Sequence, residues 1–537
     1  MIVRDEEARL PGCLASVEGL CSERIIVDTG SKDGTVQIAE DAGARVIHFP
    51  WCDDFAAARN AGIRAASGDW ILVLDADERL GPGDGERLRL EVSRATTPCG
   101  LLELHDASAL DASPTDVLSG RARLGEPMAV PRLFKRTDDL AFEGVVHESV
   151  RPWLLRNGGG TWATGARIIH YGAVPSLRAE REKSQRNARL LEHRLATDPE
   201  DFTIHGYLVH EYLAAGDIER AWSTAEEGWA RVRRAKSDTL RSSCRLMTAR
   251  CLMQFQRGDV EGMLATVDEA IAYEGEGPDA LFFRGRAHER RALERHPSRD
   301  DELERAATAY RGCLAWATRP VGQRFVVGAT SWCGKTRLGT VSLLLGEAEA
   351  ALALFEAAAV ERPTDEEAPV GACEALVELG SAEEAVSRLS RLREASTRPD
   401  PWLVSARAAL ELGHLDDLKY AMAGTRERFD AGFAGPHRRE LYGAMLCALM
   451  ALLGRPQAGP TAIGLACGLM ASDHPTGNVF RGERQIMVAF LRMMVTTGHA
   501  SLVERLLTPE ADRALPPVAR LVRQAVLSLG MSIEERR

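Results

Sequence analysis

Two acidic residues, Asp75 and Asp77, directly follow a run of five apolar residues in the stretch "DWILVLDADE". In an extended segment, residues two positions apart point to the same side, so both carboxylates can face one ion. Oxygen ligands of this kind suit a hard divalent cation such as Mg²⁺ or Mn²⁺. The alternative is that the residues from Asp75 to Glu78 only solvate the end of a buried strand. Taken alone, the pair does not decide between a metal site and a strand end.

Short strand-like and helix-like segments that would hold these acids alternate up to about residue 175. The apolar runs lie at 1–3, 24–28, 44–49 and 70–75. The amphipathic stretches between them lie at 10–20, 35–43 and 55–66. Units this short predict right-handed crossovers and a parallel sheet, in which ligands bind at the carboxyl ends of the strands. Asp28, which opens the glycine-containing loop "DTGSKDGT", and Asp75 both stand at such ends.

Helix formers with a recurring glycine hinge take over after about residue 180. Gly346, Gly380 and Gly413 are 34 and 33 residues apart, a period typical of tetratricopeptide repeats. Other hinges are 42 and 41 residues apart, at 216–258 and 413–454, so the array is degenerate. We therefore predict two domains, 1–178 and 179–537, with 275–335 as the least regular part of the second. Solenoids of this type present extended concave surfaces that bind other proteins.

The composition indicates an ordinary globular protein. The chain has 537 residues, 45% of them apolar, and a formal net charge of -11 with no long run of Lys and Arg. Nucleic acid is therefore not expected as a partner. The start of the chain does not read as a signal peptide, and the apolar run 441–454 is too short to span a bilayer. We expect a soluble, cytoplasmic protein without a membrane span.

The cysteines and one glycine-rich stretch do not predict separate sites. Eleven scattered cysteines without a CxxC pair predict reduced thiols that fill cores, and Cys52 is expected to do the same. The stretch "GATSWCGKT" resembles a phosphate-binding loop, but that loop needs four residues between its first Gly and the Gly-Lys pair. Gly328 and Gly334 enclose five. We interpret this stretch as part of another helical repeat.

Five ordered motifs resemble the inverting family 2 glycosyltransferases: "MIVRDEE", "IIVDTGSKDGT", "WCDDFAAARN", "GDWILVLDADE" and "HYG". In particular they resemble the branch that fuses the transferase to tetratricopeptide repeats, which includes enzymes that glycosylate bacteriocin peptides. The resemblance covers residues 1 to about 180. It implies an α/β domain of the GT-A type, Rossmann-like with a mostly parallel sheet, followed by an all-α helical solenoid. It also implies a nucleotide-diphosphate sugar donor and a divalent metal, Mg²⁺ or Mn²⁺.

The resemblance assigns roles to residues on the donor side. The residues expected to contact the nucleotide are Val3, Glu6, Asp28, Arg59, Asp75 and Ala76. Those expected at the metal are Asp77, Asp75 and His170, with Asp77 as the more direct ligand and Asp75 nearer the ribose. Arg59, His170 and the metal would offset the charge that the departing diphosphate gains.

An inverting transfer also needs a general base for the acceptor's proton. The stretch "FEGVVHESV" offers Glu148, with His147 beside it and Glu143 as the runner-up. The alternative is that Glu148 is a surface acid and His147 packs. Other histidines, at 48, 105, 205 and 210, are expected to be structural. The polar segment 106–127 matches no motif, and we expect it to form an acceptor loop.

Three functional hypotheses remain open from the sequence. The first is a metal-dependent inverting glycosyltransferase whose acceptor is a peptide or protein, since a concave helical surface suits a peptide. The second is a protein-binding scaffold whose transferase domain has decayed. The third is a transferase that acts on lipid-linked or cell-envelope sugars. The repeats could also mediate self-association, and the sequence does not tell which sugar is moved or whether it goes to O, N or S.

Overall fold

The computed structural model describes residues 1–124, 127–172, 174, 181–236, 242–293, 299–317, 325–432 and 438. The chain forms two compact units, the first from 1–283 with 318–328 and the second from 284–317 with the residues from 329 onward. The apolar run 441–454 and the hinge glycine within it lie outside the described residues. Among the residues that are described, no helix has both the length and the apolarity needed to cross a bilayer.

The first unit begins with the alternating strands and helices that the apolar runs predict. These are β1 (Ile2–Val3), α1 (Leu10–Ser16), β2 (Ile25–Asp28), α2 (Thr35–Asp41), β3 (Arg45–His48) and α3 (Phe55–Ala65). The three strands form a parallel sheet with β2 in the centre, where Asp28 pairs in register with Val3 and His48. Buried Leu10 and Leu14 of α1 pack against this sheet. The predicted α/β domain with a parallel sheet is confirmed.

The fourth predicted strand lies in a second, mixed sheet. The elements there are β4 (Trp70–Leu72), β5 (Glu78–Leu80), α4 (Asp84–Arg94), β6 (Cys99–Asp106), α5 (Pro114–Leu118), β7 (Met128–Lys135), α6 (Arg151–Arg156) and β8 (Thr161–His170). The strand order is β4-β7-β6-β8-β5, and β4 runs antiparallel to β7. The expectation that this run continues the parallel sheet is therefore wrong. Its apolar residues find their partners in the apolar end of β7, where Ile71 lies opposite Phe134 and Leu72 opposite Leu133.

Helices make up the rest of the described chain. They are α7 (Arg181–Thr197), α8 (Phe202–Ala215), α9 (Ile218–Val232), α10 (Cys244–Arg257), α11 (Val260–Glu274), α12 (Pro278–Leu293), α13 (Arg299–Leu314), α14 (Trp332–Leu345), α15 (Ala348–Glu361), α16 (Glu367–Glu378), α17 (Ala382–Ala395), α18 (Asp400–Glu411) and α19 (Leu415–Glu427). A short 3₁₀ turn, Phe429–Ala431, follows. The predicted boundary at residue 178 falls outside the described residues and stays a prediction.

The predicted hinge glycines do end helices. Gly346, Gly380 and Gly413 have φ angles of 83°, 79° and 74°, a left-handed conformation that glycine adopts without a Cβ clash. The amide of Gly346 donates to the carbonyl of Leu343 at 3.0 Å, which satisfies one carbonyl at the end of α14. The repeat hinge predicted from spacing is thus a helix C-cap.

The stretch that resembles a phosphate-binding loop is a turn up to Ser331 and a helix from Trp332 onward. Helix α14 begins at Trp332, and the hydroxyl of Thr336 donates to the carbonyl of Trp332 at 2.9 Å. Lys335 forms an ion pair with Glu361 of the next helix. The structure thus places the start of a helix here, and the interpretation as part of a repeat stays a prediction.

The described cysteines follow the prediction only in part, since Cys21 and Cys52 are exposed and Cys244 and Cys333 are only partly buried. Cys13, Cys99, Cys251, Cys313 and Cys373 are buried. The expectation that Cys52 fills a core is wrong, because its side chain is exposed. It lies in the loop before α3, where the indole nitrogen of Trp51 donates to Asp53 at 2.8 Å and the chain has no core to face.

Phe134 is the centre of an aromatic cluster in the first unit, and its removal should be costly. Its ring lies 5.7 Å from that of Phe142 and 6.0 Å from that of Trp153, and it is fully buried. Phe134→Ala should lower the free energy of unfolding by about 3–5 kcal/mol, because a large cavity remains. Urea unfolding followed by tryptophan fluorescence measures it. Leu155→Ala, at a side chain that is 41% exposed, is the control; equal losses would contradict the packing described.

His205 of α8 should make the first unit less stable in acid. Burial lowers the pKa of His205, so the native state holds it neutral while the unfolded chain takes up a proton below its ordinary pKa of 6.5. Stability from this group is thus present above that pH and is lost as the pH falls through the lowered value. In urea unfolding at about pH 8 and about pH 5.5, His205→Asn should lose less stability in acid than the wild type does.

The control for this experiment is His193→Asn, at an exposed histidine of α7. It should keep the pH dependence of the wild type. If His205→Asn also keeps it, the neutral buried state of His205 is wrong.

Candidate active site

A cavity of about 1580 Å³ opens where β1, β2 and β8 end, within the first unit. Most of the residues predicted at the site line it: Val3, Glu6, Arg59, Asp75, Ala76, Asp77, His147, Glu148 and His170. Residues of helices α7, α8 and α9 line it as well, among them Arg186, Asn187, Glu211, Tyr212 and Arg220. The predicted residues therefore meet in one place, although they come from segments as far apart as β1 and β8.

Arg59 joins two of the predicted acids. Asp54 caps the start of α3 by accepting from the amide of Ala57 at 2.8 Å, and Arg59 follows one turn later. A terminal nitrogen of Arg59 lies 2.7 Å from Oε1 of Glu148, and both terminal nitrogens lie 3.3 Å from Oδ1 of Asp75. The guanidinium thus bridges the donor-side acid and the candidate base.

Arg132 of β7 holds the other side of Asp75, and the sequence reasoning missed it. Its guanidinium lies 3.1 Å from Oδ2 of Asp75 and is also ion-paired with the buried Glu78. Burial alone would raise the pKa of Asp75, but Arg132 and Arg59 outweigh it and hold that pKa well below its ordinary range. Burial raises the pKa of Glu78 to about 7, although Arg132 opposes this. A basic residue inside an otherwise apolar strand was the available signal for Arg132.

Asp75 and Asp77 do not share an extended segment, so that part of the prediction is wrong. Strand β4 ends at Leu72, and a turn follows in which the amide of Glu78 donates to the carbonyl of Asp75 at 3.0 Å. The turn sends the two carboxylates to different partners. Asp75 faces the arginines, whereas Oδ2 of Asp77 lies 3.6 Å from Nε2 of His170.

His170 is oriented by a second acid, Asp106, which the prediction did not include. Nδ1 of His170 lies 2.7 Å from Oδ1 of Asp106, so Nε2 faces Asp77. Burial lowers the pKa of His170, but hydrogen bonds with Asp106 and Asp77 outweigh this and raise it to about 10. Asp106 and His170 pair in register where the parallel strands β6 and β8 end. Had Cys99–Asp106 been predicted as a strand, the strand-end rule that identified Asp28 would have found Asp106 too.

The candidate bases sit in a short closed loop. The amides and carbonyls of Glu143 and Ser149 bond to each other twice, at 2.9 Å each, which presents His147 and Glu148 to the cavity. The backbone of His147 has a φ of 51°, in the left-handed region that few non-glycine residues adopt. Glu143 itself pairs with Arg156 at 3.3 Å and is not among the described residues that line the cavity.

Asp28 is buried, and its carboxylate accepts hydrogen bonds from the loop that follows it. Its carboxylate accepts from the amides of Ser31 at 3.0 Å and Gly30 at 3.3 Å, and lies 3.4 Å from Nδ1 of His48. Burial alone would raise the pKa of Asp28. The hydrogen bonds outweigh burial, so the pKa of Asp28 lies below its ordinary value. In the part of the chain that the structure describes, Asp28 does not line the cavity.

The segment 106–127 packs against the end of β8. It contains α5, and Val117 is buried against Ile169 and Tyr171. Apart from 125 and 126, which are not described, none of its residues lines the cavity. Its role as an acceptor loop stays a prediction.

Two parts of the chain match known families. Residues 1–101 match glycosyl transferase family 2, and residues 342–410 match a tetratricopeptide repeat. A TPR repeat-containing protein of Synechococcus elongatus is 37% identical over 235 residues, 42% of this chain and 55% of that protein. The SPbeta prophage-derived glycosyltransferase SunS of Bacillus subtilis is 26% identical over 203 residues, 37% of this chain and 45% of that protein. The chain thus spans about half the length of these relatives.

Among solved structures, a tetratricopeptide repeat protein from Parabacteroides merdae covers 50% of this chain and 94% of its own, with a TM-score of 0.35 and 11% identity. The site geometry lies in and around the segment that matches the transferase family, and the repeat match lies in α14 to α18. This chain therefore combines a family 2 glycosyltransferase domain in its N-terminal part with tetratricopeptide repeats in its helical part.

Proposed function

We propose that this protein transfers a sugar from a nucleoside diphosphate donor to a polypeptide, with inversion at the anomeric carbon and with a divalent cation at the diphosphate. One observation carries the proposal: the acids and bases that this transfer needs line one cavity beside the family 2 segment. At about 1580 Å³, the cavity exceeds the roughly 300–1,000 Å³ typical of small-molecule sites. It therefore has room for a donor and part of a second substrate.

The donor nucleotide is assigned to the wall with Asp75. Its carboxylate is kept ionised by two arginines, so it can accept hydrogen bonds from ribose hydroxyls. Val3, Glu6 and Ala76 line the same cavity and would contact the nucleoside. Arg59 offers a planar guanidinium beside them, which suits an oxygen-rich diphosphate.

Asp77 and His170 fit a divalent cation. An acid and an imidazole nitrogen 3.6 Å apart face the cavity, and Asp106 fixes the ring from behind as carboxylates commonly do behind metal-binding histidines. Among the described residues no group of three or more protein ligands is present, so water and the donor's phosphates would complete the coordination. When bound, the cation supplies positive charge for the leaving diphosphate.

Inversion follows from attack on the face of the sugar opposite the diphosphate. The chain must then hold the acceptor atom in line and take up its proton as the new bond forms. His147 and Glu148, side by side in the closed loop, are the groups available for that proton. Arg59 would stabilise the departing diphosphate from the other side.

A polypeptide is the acceptor that the repeats favour. Tetratricopeptide arrays bind other proteins through extended surfaces, and this chain carries such repeats in addition to the segment that matches the transferase family. Lipid-linked or cell-envelope sugars remain the competing acceptors, and self-association is the competing use of the repeats.

Asp77→Asn should weaken metal-dependent donor binding at least about tenfold, because the variant loses the charged ligand of the cation. Isothermal titration with a panel of nucleoside diphosphate sugars, with and without Mn²⁺, measures the affinity. Asp138→Asn, which changes an exposed acid of the same domain, is the control and should bind as the wild type does.

Two results would count against the proposal. Equal affinity of Asp77→Asn and the wild type in Mn²⁺ would remove Asp77 from the metal site. No heat with any donor, in either protein, would favour a scaffold with a decayed transferase domain.

The acceptor class can be read from product masses. Incubated with the donor that binds best and Mn²⁺, peptides encoded beside this gene should gain the mass of one sugar residue, because the acceptor is polypeptide. Intact-mass spectrometry checks this, and Asp77→Asn should leave the peptides unmodified. Transfer of label to a lipid extract instead of the peptides would favour the envelope hypothesis.

A further inference from the structure

Helix α8 builds the wall of the cavity that faces His147. Tyr207 and Glu211 lie one turn apart on the same face of this helix. The imidazole of His147 stacks on the ring of Tyr207, with centroids 4.0 Å apart and ring planes 11° apart. Nε2 of His147 lies 3.8 Å from Oε1 of Glu211. One helix therefore contacts both the face and the edge of this ring.

The partner acid is itself held in place. Oε1 of Glu211 accepts a hydrogen bond from the side-chain amide of Asn187 on α7, at 3.1 Å. The side chain of Glu211 is only 12% exposed, and both residues line the cavity. Asn187 thus holds the carboxylate of Glu211 at the edge of the His147 ring.

The backbone of His147 adopts a strained conformation at this contact. A φ of 51° is unfavourable for a residue with a Cβ, and such conformations persist only where the surroundings enforce them. Here the loop is closed by the two backbone bonds between Glu143 and Ser149, and the ring is fixed by α8. Strain of this kind is concentrated at functional sites.

The neighbouring acid is engaged elsewhere. Oε1 of Glu148 accepts from Nε of Arg59 at 2.9 Å and lies 2.7 Å from a terminal nitrogen of the same guanidinium. His147 is 34% exposed on its side chain and opens to the cavity. Of the two adjacent candidates, Glu148 already forms an ion pair with a cationic side chain, whereas His147 contacts Glu211 through Nε2 and has Nδ1 as its second ring nitrogen.

Resting on the glycosyl transfer proposed above, we propose that His147 takes the acceptor's proton and that Tyr207 and Glu211 of α8 are positioning residues for it. With Nε2–H directed at Glu211, the lone pair of Nδ1 accepts the proton from the acceptor's O–H, N–H or S–H group. The acceptor atom's electron pair forms the bond to the anomeric carbon. The bond from that carbon to the diphosphate oxygen breaks, and its electron pair leaves with the nucleoside diphosphate.

Glu211 then stabilises the imidazolium, as a carboxylate does behind a catalytic histidine. The helices that follow the α/β part therefore complete the acceptor half of the active site instead of serving only to bind a partner. Glu148 keeps Arg59 in place on the donor side.

Donor hydrolysis tests this, because water as acceptor also loses a proton. With Mn²⁺ and the nucleoside diphosphate sugar that the wild type hydrolyses fastest, His147→Gln should lower kcat about 100-fold or more. Glu211→Gln should lower kcat about 10–100-fold and leave the KM for the donor within about twofold. Glu211→Asp should recover part of the loss, and Glu227→Gln, at an exposed acid of α9, should match the wild type.

A second measurement reports on the contact without catalysis. Carbethoxylation of His147 by diethyl pyrocarbonate, followed by peptide mass spectrometry, should be faster in Tyr207→Ala than in the wild type. Tyr207→Phe keeps the stacked ring and should react at the wild-type rate.

The outcomes separate the two proposals. A wild type that neither hydrolyses a donor nor adds a sugar to a peptide overturns the transferase and the inference together. A wild type that hydrolyses a donor, with full kcat in His147→Gln or Glu211→Gln, overturns only the inference. Unchanged carbethoxylation in Tyr207→Ala also overturns the inference.

Discussion

Two arginines hold three carboxylates at and behind the wall of the cavity, and the arrangement of the candidate site depends on this charge balance. Arg59 bridges Asp75 and Glu148, and Arg132 joins Asp75 to Glu78. A buried charge left without its partner costs several kcal/mol, so these contacts lock helix α3, strand β7, the turn after β4 and the candidate-base loop to one another. The third negative charge is reduced by burial, which raises the pKa of Glu78 to about 7.

The two arginines give Asp75 and Asp77 different surroundings, although the two acids look equivalent in the sequence. Asp75 is neutralised by guanidinium groups and is available to hydroxyl donors, whereas Asp77 faces His170 and the open cavity. Under the proposed function, Asp75 would therefore meet the nucleoside and Asp77 the cation, because arginines beside Asp75 repel a cation. On the other side of the cavity, His147 depends on a helix that follows the α/β part of the chain.

Much of the local structure could be predicted, because local rules govern it. The apolar runs at 1–3, 24–28 and 44–49 became the strands of the parallel sheet, and the hinge glycines became helix ends with positive φ. The predictions that were wrong concern which parts of the chain contact each other. The run at 70–75 has the composition of a buried strand whichever neighbour it pairs with, and only the tertiary structure shows that this neighbour is the antiparallel strand β7. Cys52 was misjudged because composition does not report whether a core is nearby.

The sequence by itself determined the class of each half, the hinge positions and most of the predicted site residues that line the cavity, since order, spacing and residue type carry that information. Only the tertiary structure decided which acid meets which base. Arg132, Asp106, Tyr207 and Glu211 have no motif around them, and each gained its place through contacts between residues 20 or more positions apart. Charge pairing and ring stacking act over a few ångströms in space, and distance along the chain does not report them.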